Sequence, residues 1–470
     1  MNVIAYLNKK GYDTVPSDHY HMVQVWKSWY QNKVRGFHRY RINNGSNTVK
    51  CDRLSAGMAK MVSEDIADDL LNEKVKITLS EPTVQEYVDK ILRENNWAVQ
   101  SNTYQERKAY TGTVAYVPYL DGVEVDEEGN VIAGTGTIRL NYFEASNIYP
   151  LSWLNGIVEE CAFVSIHTVK GKKYAHIQMH TKEGTGEYVI YNCVVECTNG
   201  AGREMESKEW RKLIPFQSMS ERTFTGSKKR QFVIDRLNIV NNMDPDSPMG
   251  VAVFANAIDQ LRGIDIAYDS YVNEFVLGKK RIFVAPEMLS MNDSGAPVFD
   301  PNDVTFYQLP EDSMKEGEAI HEVNMEIRAE AHSRAINDFL NILSVKCGFG
   351  TQHYRFENGN IQTATQVISE NSDLYKTVVK HEIILDSALK ELVAIILRLG
   401  NVLGAGLNES VEITIDFDDS IIEDKGTERK EDRQDVSMGV MALWEYRAKY
   451  YNEDMETAKA NVPEQAEVIE

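Results

Sequence analysis

The chain has 470 residues, of which 43% are hydrophobic and 26% are charged, and this composition is typical of a folded soluble protein with room for several domains. The formal net charge of −21 argues against a protein that coats nucleic acid, because nonspecific binding relies on Lys and Arg to neutralise phosphates. It does not argue against a protein that surrounds DNA without gripping it. Five scattered cysteines favour free thiols, and no apolar run reaches the roughly 18 residues that a membrane-spanning helix needs.

The first half of the chain is predicted to be helical and then rich in strands. Helices are predicted at 18–29, 54–71 and 83–94, the last with a capping box formed by Thr83 and Glu86. From residue 113 the pattern changes to short β-branched or alternating runs. These predicted strands are 113–120, 137–143, 161–169, 174–180 and 188–197, with turns at Asp121-Gly122 and Lys170-Gly171. An α+β region is therefore expected to end near residue 234.

Two further helices are predicted on either side of a small insert. The first spans 248–277, with Ser247 as N-cap and Pro248 at the first helical position. The second spans 325–347 between Asn324 and Gly348. Its predicted apolar stripe repeats every four residues, at Ile327, Ala331, Ala335, Phe339 and Leu343. The insert contains strand-like runs at 281–285 and 304–309 among several prolines, so we expect a small β or α/β module.

The most regular stretch is a long helix predicted at 363–400, about 54 Å long at ~1.5 Å per residue. Thr363 and Gln366 can form a capping box at its start, and Gly400 is a natural residue to end it. Its predicted apolar stripe consists of Val378, Leu385, Leu389, Leu392, Ile396 and Leu399. Such a long amphipathic helix must pack against a large body.

Shorter predicted elements flank this helix. Before it, residues 348–362 form a loop that is rich in glycine and aromatic residues. After it, residues 411–417 alternate strictly between apolar and polar, which predicts an amphipathic strand. A charged segment and two helices, at 436–450 and 453–461, are predicted to complete the chain.

The sequence offers few candidates for chemistry. A zinc site from His176, His180, Cys193 and Cys197 is disfavoured, because residues four apart on a strand are about 13 Å from each other. A magnesium site is conceivable in the acidic run that contains Asp416, Asp418, Asp419, Glu423 and Asp424, although such runs are usually solvated surface. There is no glycine loop ending in Gly-Lys-Ser or Gly-Lys-Thr and no nucleophile elbow. We therefore predict no enzyme, no cofactor and no metal.

Three segments together resemble the portal proteins of long-tailed bacteriophages. They are RLSAGMAKMVSEDIADDLLNEKVKI, SPMGVAVFANAIDQLRGIDIAYDSYVNEF and FENGNIQTATQVISENSDLYKTVVKHEIILDSALKEL. The resemblance implies a structural ring, usually a dodecamer, at the unique capsid vertex, through which double-stranded DNA is packaged and later ejected. It also implies a location in the virion after assembly in the host cytoplasm, and no membrane. The implied partners are further copies of the chain, the terminase large subunit, a head-tail adaptor, and the major capsid and scaffolding proteins.

The resemblance also implies an α+β portal fold with named parts. The implied parts are a wing (1–240), a stem helix (241–277), a clip (278–324), a second stem helix (325–347), a tunnel loop (348–362), a bridging helix (363–400), a wing strand and linker (401–424), and crown helices (425–470).

Two groups of residues are predicted to act at the channel. The tunnel-loop residues predicted to approach DNA are Gln352, His353, Tyr354, Arg355, Phe356 and Asn358. The basic patch Lys279-Lys280-Arg281 is predicted to contact either DNA or a docking partner, and Lys228-Lys229-Arg230 is a second basic cluster of the same density. The alternatives are a magnesium-dependent nucleic-acid enzyme that uses the acidic run near Asp416, and another minor head protein.

Overall fold

The computed structural model describes residues 2–43, 45, 47–72, 75–124, 131–198, 201–278, 281–284, 306–308, 320–323, 326–351, 353–356, 364–417, 425–451 and 453–462. The helices in these residues are α1 (Val3–Lys9), α2 (Ser17–Tyr30), α3 (Met58–Leu70), α4 (Pro82–Glu94), α5 (Trp97–Thr111), α6 (Ser207–Trp210), α7 (Ile258–Leu277), α8 (Ala329–Cys347), α9 (Ala364–Val402), α10 (Lys425–Met438), α11 (Leu443–Tyr451) and α12 (Met455–Ala460).

The strands in the described residues form five sheets. The strands are β1 (Arg39–Asn43), β2 (Thr48–Asp52), β3 (Lys76–Leu79), β4 (Thr113–Asp121), β5 (Thr137–Glu144), β6 (Ile148–Leu154), β7 (Ile157–Val169), β8 (Lys172–Lys182), β9 (Tyr188–Thr198), β10 (Ala201–Glu204), β11 (Arg222–Phe224), β12 (Val233–Arg236), β13 (Arg281–Val284), β14 (Phe306–Gln308), β15 (Ile320–Val323) and β16 (Ile413–Asp416). Helices and mainly antiparallel sheets are combined, so the predicted α+β class is confirmed.

The largest sheet is antiparallel and has the order β10-β9-β8-β7-β6, with β11 also paired to β9. The tight turn between β7 and β8 uses Lys170 and Gly171, both with positive φ, as the sequence predicted. A second sheet has the order β12-β4-β5, and β16 pairs with β3. The predicted strand region is therefore confirmed, although most strands extend a few residues beyond the predicted bounds.

Helix α9 lies at the centre of the fold. All six residues of its predicted apolar stripe are buried, and the helix packs against β4, β12, α3 and α4. The predicted end at Gly400 is wrong, because the helix continues to Val402 and is followed by Gly404, whose φ is +84°. Gly400 instead allows close packing, since a Cβ there would lie 2.8 Å from Leu407. The predicted cap Thr363 lies outside the described residues.

Helix α7 begins at Ile258, so the predicted start at 248 is wrong. The residues before it run beside α5 and β4 and give their backbone N–H groups to these elements. Gly250 donates to the Thr113 hydroxyl at 2.8 Å, and the Val253 N–H donates to the Ala109 carbonyl at 2.8 Å. These bonds replace the ones that a helix would make.

Helix α8 begins later than predicted, at Ala329, and its buried face differs from the predicted stripe. Ile327 and Ala331 are exposed, and Ala335 and Phe339 are half-buried. The buried face contains Ser333, Ile336, Leu340, Leu343, Ser344 and Cys347. The four-residue spacing therefore identified the helix and its buried Leu343, but its other members lie beside the buried face. The predicted cap Asn324 lies outside the described residues.

Smaller corrections concern the short elements. Helix α4 starts at Pro82 after Glu81, which makes no side-chain cap, so the capping box at Thr83 is wrong. The predicted helix 436–450 is interrupted at Gly439, whose φ is +74°, and α10 and α11 lie on either side of it. The insert contains the two predicted strands as β13 and β14, which pair in parallel, and a third strand, β15, that was not predicted. The alternation at 411–417 is confirmed, since Val411 and Ile415 are buried.

Candidate channel segment and subunit-facing surface

Helices α7 and α8 form an antiparallel pair. At one end Glu274 accepts a hydrogen bond from the Arg328 side chain at 2.9 Å, and at the other end Lys346 donates to Gln260 at 2.9 Å. In the middle the helices approach closely, because Gly263 has no side chain to meet the ring of Phe339. Hydrogen bonds therefore hold the pair at both ends, and close packing holds it in the middle.

The carboxyl group of Glu274 on α7 forms the polar contact to residues at the start of α8. Arg328 donates to it, and His332 lies 3.3 Å from the same oxygen. These hydrogen bonds, first from Arg328 and then from His332, lower the pKa of Glu274 below its usual value. The carboxylate therefore stays charged in mildly acidic solution.

Both helices of the pair carry exposed apolar residues, and these lie on more than one side of α7, because Ile266 and Phe275 are nine residues, or about 180°, apart on the helix. These residues are 43% to 54% exposed, and they are Ile266, Phe275 and Val276 on α7, and Ile342 and Val345 on α8. Single exposed apolar residues are ordinary, but several on one helix pair form an apolar surface that is available to a second molecule. We refer to these five residues as the stem face.

The segment after α8 folds back onto its own subunit. Gly348 ends the helix with a φ of +88°, as the sequence predicted. Phe349 and Tyr354 are buried, and the Tyr354 hydroxyl donates to a carboxylate oxygen of Asp65 on α3 at 2.6 Å. Tyr354 therefore anchors the loop inside its own subunit, and its predicted approach to DNA stays a prediction.

The other predicted loop residues have different surroundings. His353 is exposed and stacks on Phe349, with ring centroids 4.6 Å apart. Phe356 is 41% exposed and meets Tyr271 of α7 edge to face, while Arg355 is half-buried. Gln352 and Asn358 lie outside the described residues.

An acidic neighbourhood under this loop was not anticipated from the sequence. Asp65 and Asp69 lie one turn apart on α3, and the His353 ring nitrogen lies 4.0 Å from Asp65. Burial, and then the nearby charge of Asp65, raise the pKa of Asp69 to about 6. The helical pattern of this stretch was visible in the sequence, but its contact with a loop almost 300 residues away was not.

The structure describes the second predicted basic cluster and one residue of the first. In the second, Arg230 makes two hydrogen bonds of 2.6 Å to Glu391 on α9, so its side chain anchors the long helix and is not free for phosphate. In the first, Arg281 lies on β13, with its backbone opposite Val323 of β15. Lys279 and Lys280 lie outside the described residues.

A buried ion pair beside α9 was also missed by sequence reasoning. The Lys108 ammonium lies 2.9 and 3.0 Å from the two carboxylate oxygens of Asp235, and both side chains are fully buried. Gln105 donates to the same carboxylate at 2.9 Å, and burial lowers the pKa of Lys108. Nothing local in the sequence signals this pair, because its members are far apart along the chain.

The histidines and cysteines considered for zinc do not converge. His176 shares a strand with Ile177, which lies opposite Cys193, so His176 and Cys193 are on opposite faces of the sheet. The ring nitrogen of His176 lies 2.9 Å from the Asn192 side-chain oxygen. Within the described part of the chain, no group of three His, Cys, Asp or Glu residues could hold a metal ion.

Asp416 is the member of the acidic run that the structure describes. It is exposed at the end of β16 and accepts a hydrogen bond from the Thr78 hydroxyl at 3.2 Å. Asp418, Asp419, Glu423 and Asp424 lie outside the described residues. Among the helices that are described, none is long and apolar enough to cross a membrane.

The chain thus combines a long buried helix, a helix pair with exposed apolar residues, and a loop that is anchored on its own subunit. In a comparison with known protein families, the family model described as phage portal protein, SPP1 Gp6-like, matches residues 17–461 of the chain. The chain is therefore a phage portal protein, and it belongs to the SPP1 Gp6-like family. No curated protein matches it.

Membership of this family confirms the predicted resemblance over nearly the whole chain. It assigns the protein to the bacteriophage virion, as a structural component of the capsid that serves genome packaging. The family is structural rather than enzymatic, and it implies an oligomeric ring with capsid and packaging partners. The match also favours a portal protein over the alternative of another minor head protein.

Proposed function

We propose that twelve copies of this chain form a ring at the unique capsid vertex, and that the opening of the ring is the channel for double-stranded DNA. DNA enters through it during packaging and leaves through it during ejection. In this proposal the terminase large subunit docks on the ring first, and a head-tail adaptor replaces it when the head is full. The major capsid and scaffolding proteins surround the ring during assembly in the host cytoplasm.

The stem face is the observation that carries this proposal. Its apolar side chains are about half exposed in the single chain, and the helices below them are clasped into one rigid unit. Fully burying an exposed apolar side chain gains about 1.5–3 kcal/mol, so covering one that is about half exposed gains about half of that. Each stem face can be covered by the adjacent subunit, so the gain is repeated at every interface of a closed ring.

The remaining parts of the proposal are those that the resemblance to portal proteins implies. Residues 1–240 with the strand at 401–424 form the wing, and 241–277 with 325–347 form the stem. The insert 278–324 forms the clip, 348–362 the tunnel loop, 363–400 the bridging helix and 425–470 the crown. The anchoring of α9 by Arg230 and by its buried stripe supports the role of a rigid connection between stem and wing.

The charge of the chain suits a channel that lets DNA slide. Every retained phosphate contact would add affinity and so resist movement. The net charge of −21 keeps such contacts few. We assign the remaining approach to DNA to the tunnel loop, with His353 and Phe356 as exposed members and with Gln352, Arg355 and Asn358 beside them. The basic patch Lys279-Lys280-Arg281 is assigned to DNA or to a docking partner.

A double substitution in the loop tests the channel. His353→Ser with Phe356→Ser removes two exposed rings and leaves the Tyr354 anchor in place. We expect rings of unchanged mass and at least a tenfold loss of packaged or retained DNA, measured as nuclease-protected DNA per particle.

The matched control replaces two exposed apolar residues elsewhere, with Ile214→Ser and Val240→Ser, which are 80% and 72% exposed in the parent. It should package as the parent does. Equal DNA retention in the loop variant and the control would remove the tunnel loop from the mechanism.

A further inference from the structure

The hairpin β1–β2 has one apolar face, on which Arg53 lies over the Tyr40 ring, 4.8 Å from its centroid, while the side chains near the tip are exposed. Its register pairs Tyr40 with Cys51 and Ile42 with Val49. Because alternate residues of a strand point to opposite faces, these four side chains share one face. Ile42 and Val49, nearest the tip, are 48% and 45% exposed.

The opposite face of the hairpin is cationic. Arg41 lies directly across from Lys50, and both are exposed. Like charges in this position repel and destabilise the pair of strands. Residues 39–53 carry four cationic side chains and one carboxylate, a net charge of +3, so the rest of the chain carries −24. The hairpin is therefore a basic element on a strongly acidic protein.

The base of the hairpin is fixed to α7. The His38 ring nitrogen lies 3.0 Å from a carboxylate oxygen of Asp265, and the other oxygen accepts from the Ala56 N–H at 2.8 Å. The Leu54 N–H donates to Asp269 at 3.1 Å, one turn further along the helix. Asp265 is buried. The hairpin thus projects from the stem in a defined direction.

We propose that this hairpin docks on the acidic surface of a second copy of this chain, as an additional contact between neighbouring subunits. An isolated two-stranded ribbon is marginally stable in water and needs a cover for its apolar face. An acidic neighbour also neutralises the pair Arg41 and Lys50. The inference rests on the proposed ring, in which the hairpin of every subunit meets the next subunit in the same way.

DNA is a poorer occupant for this surface. Ile42 and Val49 are aliphatic and offer phosphate neither charge nor a hydrogen bond, whereas a protein surface can bury them. The apolar face would remain exposed if only the cationic face were used.

The test compares assembly of three forms of the full chain by native mass spectrometry over a dilution series. Ile42→Ser with Val49→Ser should need at least a tenfold higher protein concentration to form rings, while its circular dichroism spectrum matches the parent. Ile214→Ser with Val240→Ser is the control and should assemble as the parent does. A hairpin variant that assembles like the control overturns the proposal. A parent that stays monomeric overturns the ring, and the hairpin contact with it, so the two failures are distinguishable.

A cross-linking measurement covers the case in which the double variant fails to fold. A photo-reactive amino acid at Val49 in the otherwise unchanged chain should yield covalent dimers and larger multiples on illumination of the ring. The proposal is overturned if the probe reacts only within its own chain, or only with added DNA.

Discussion

His180 is a polar residue in an apolar site, and its ring is neutral in the folded protein. The side chain is fully buried on β8, neither ring nitrogen has a partner among the described residues, and the rings of Phe163 and Phe232 meet it edge to face. Burial lowers its pKa from 6.5 to about 3. The folded protein therefore resists a proton that the unfolded chain accepts.

This difference predicts an acid-dependent loss of stability. The stability of the fold that contains neutral His180 is fully present above pH 6.5 and is lost as the pH falls toward about 3. In this window the unfolded chain binds a proton at His180 and the folded chain does not. Between pH 7 and pH 5 the parent should lose about 2 kcal/mol more free energy of unfolding than His180→Leu. Denaturant titrations at both pH values measure it. An equal loss in both proteins would show that His180 is not the group that titrates.

Single residues were the hardest level to predict. The exposed position of His353 could be expected from a glycine-rich loop, but the burial of Tyr354 depends on Asp65, far away in sequence. In the same way, the sequence shows Arg230 only as part of a basic cluster, and the fold brings it to its partner Glu391. Patterns within one segment cannot identify partners that only the tertiary fold brings together.

At the scale of elements, the close approach of α7 and α8 depends on Gly263, which has no side chain. A Cβ on Gly263 would lie 2.7 Å from the ring of Phe339. Gly263→Ala gains about 1 kcal/mol of helix propensity, but overpacking costs about 1–3 kcal/mol. We expect a net loss of up to about 2 kcal/mol in the free energy of unfolding.

A second substitution and a control complete this test. Phe339→Leu in the Gly263→Ala background should recover stability by making room, whereas Gly184→Ala, at a turn with nothing within 4 Å, should be near neutral. Stabilisation of Gly263→Ala by the full propensity gain would mean that the helices are not in contact there.

The existence of elements was predicted better than their ends. The stripe of α9 and the alternation of β16 follow from periodicity alone, and both are confirmed. The start of α7 could not be predicted, because Gly250 and Val253 bond to α5 and β4 and so give up helical hydrogen bonds. The buried side of α8 was predicted only at Leu343, because tertiary packing selects which of the apolar residues around the helix are buried.

At the scale of the whole molecule, the chain presents a rigid helix pair whose apolar side lacks a cover, and a basic hairpin on an acidic body. We propose that neighbouring copies in a ring complete both features. Family membership established the portal class over residues 17–461. The sequence could point to this class through its order of parts, but the exposed apolar helix pair and the basic hairpin could be recognised only from the fold.

Electron microscopy of the purified full chain tests the ring most directly. The account predicts closed rings of twelve subunits with a central opening wide enough for double-stranded DNA, and native mass spectrometry of the same sample should give twelve times the mass of one chain. Compact monomers without an opening, under conditions that support capsid assembly, would contradict it.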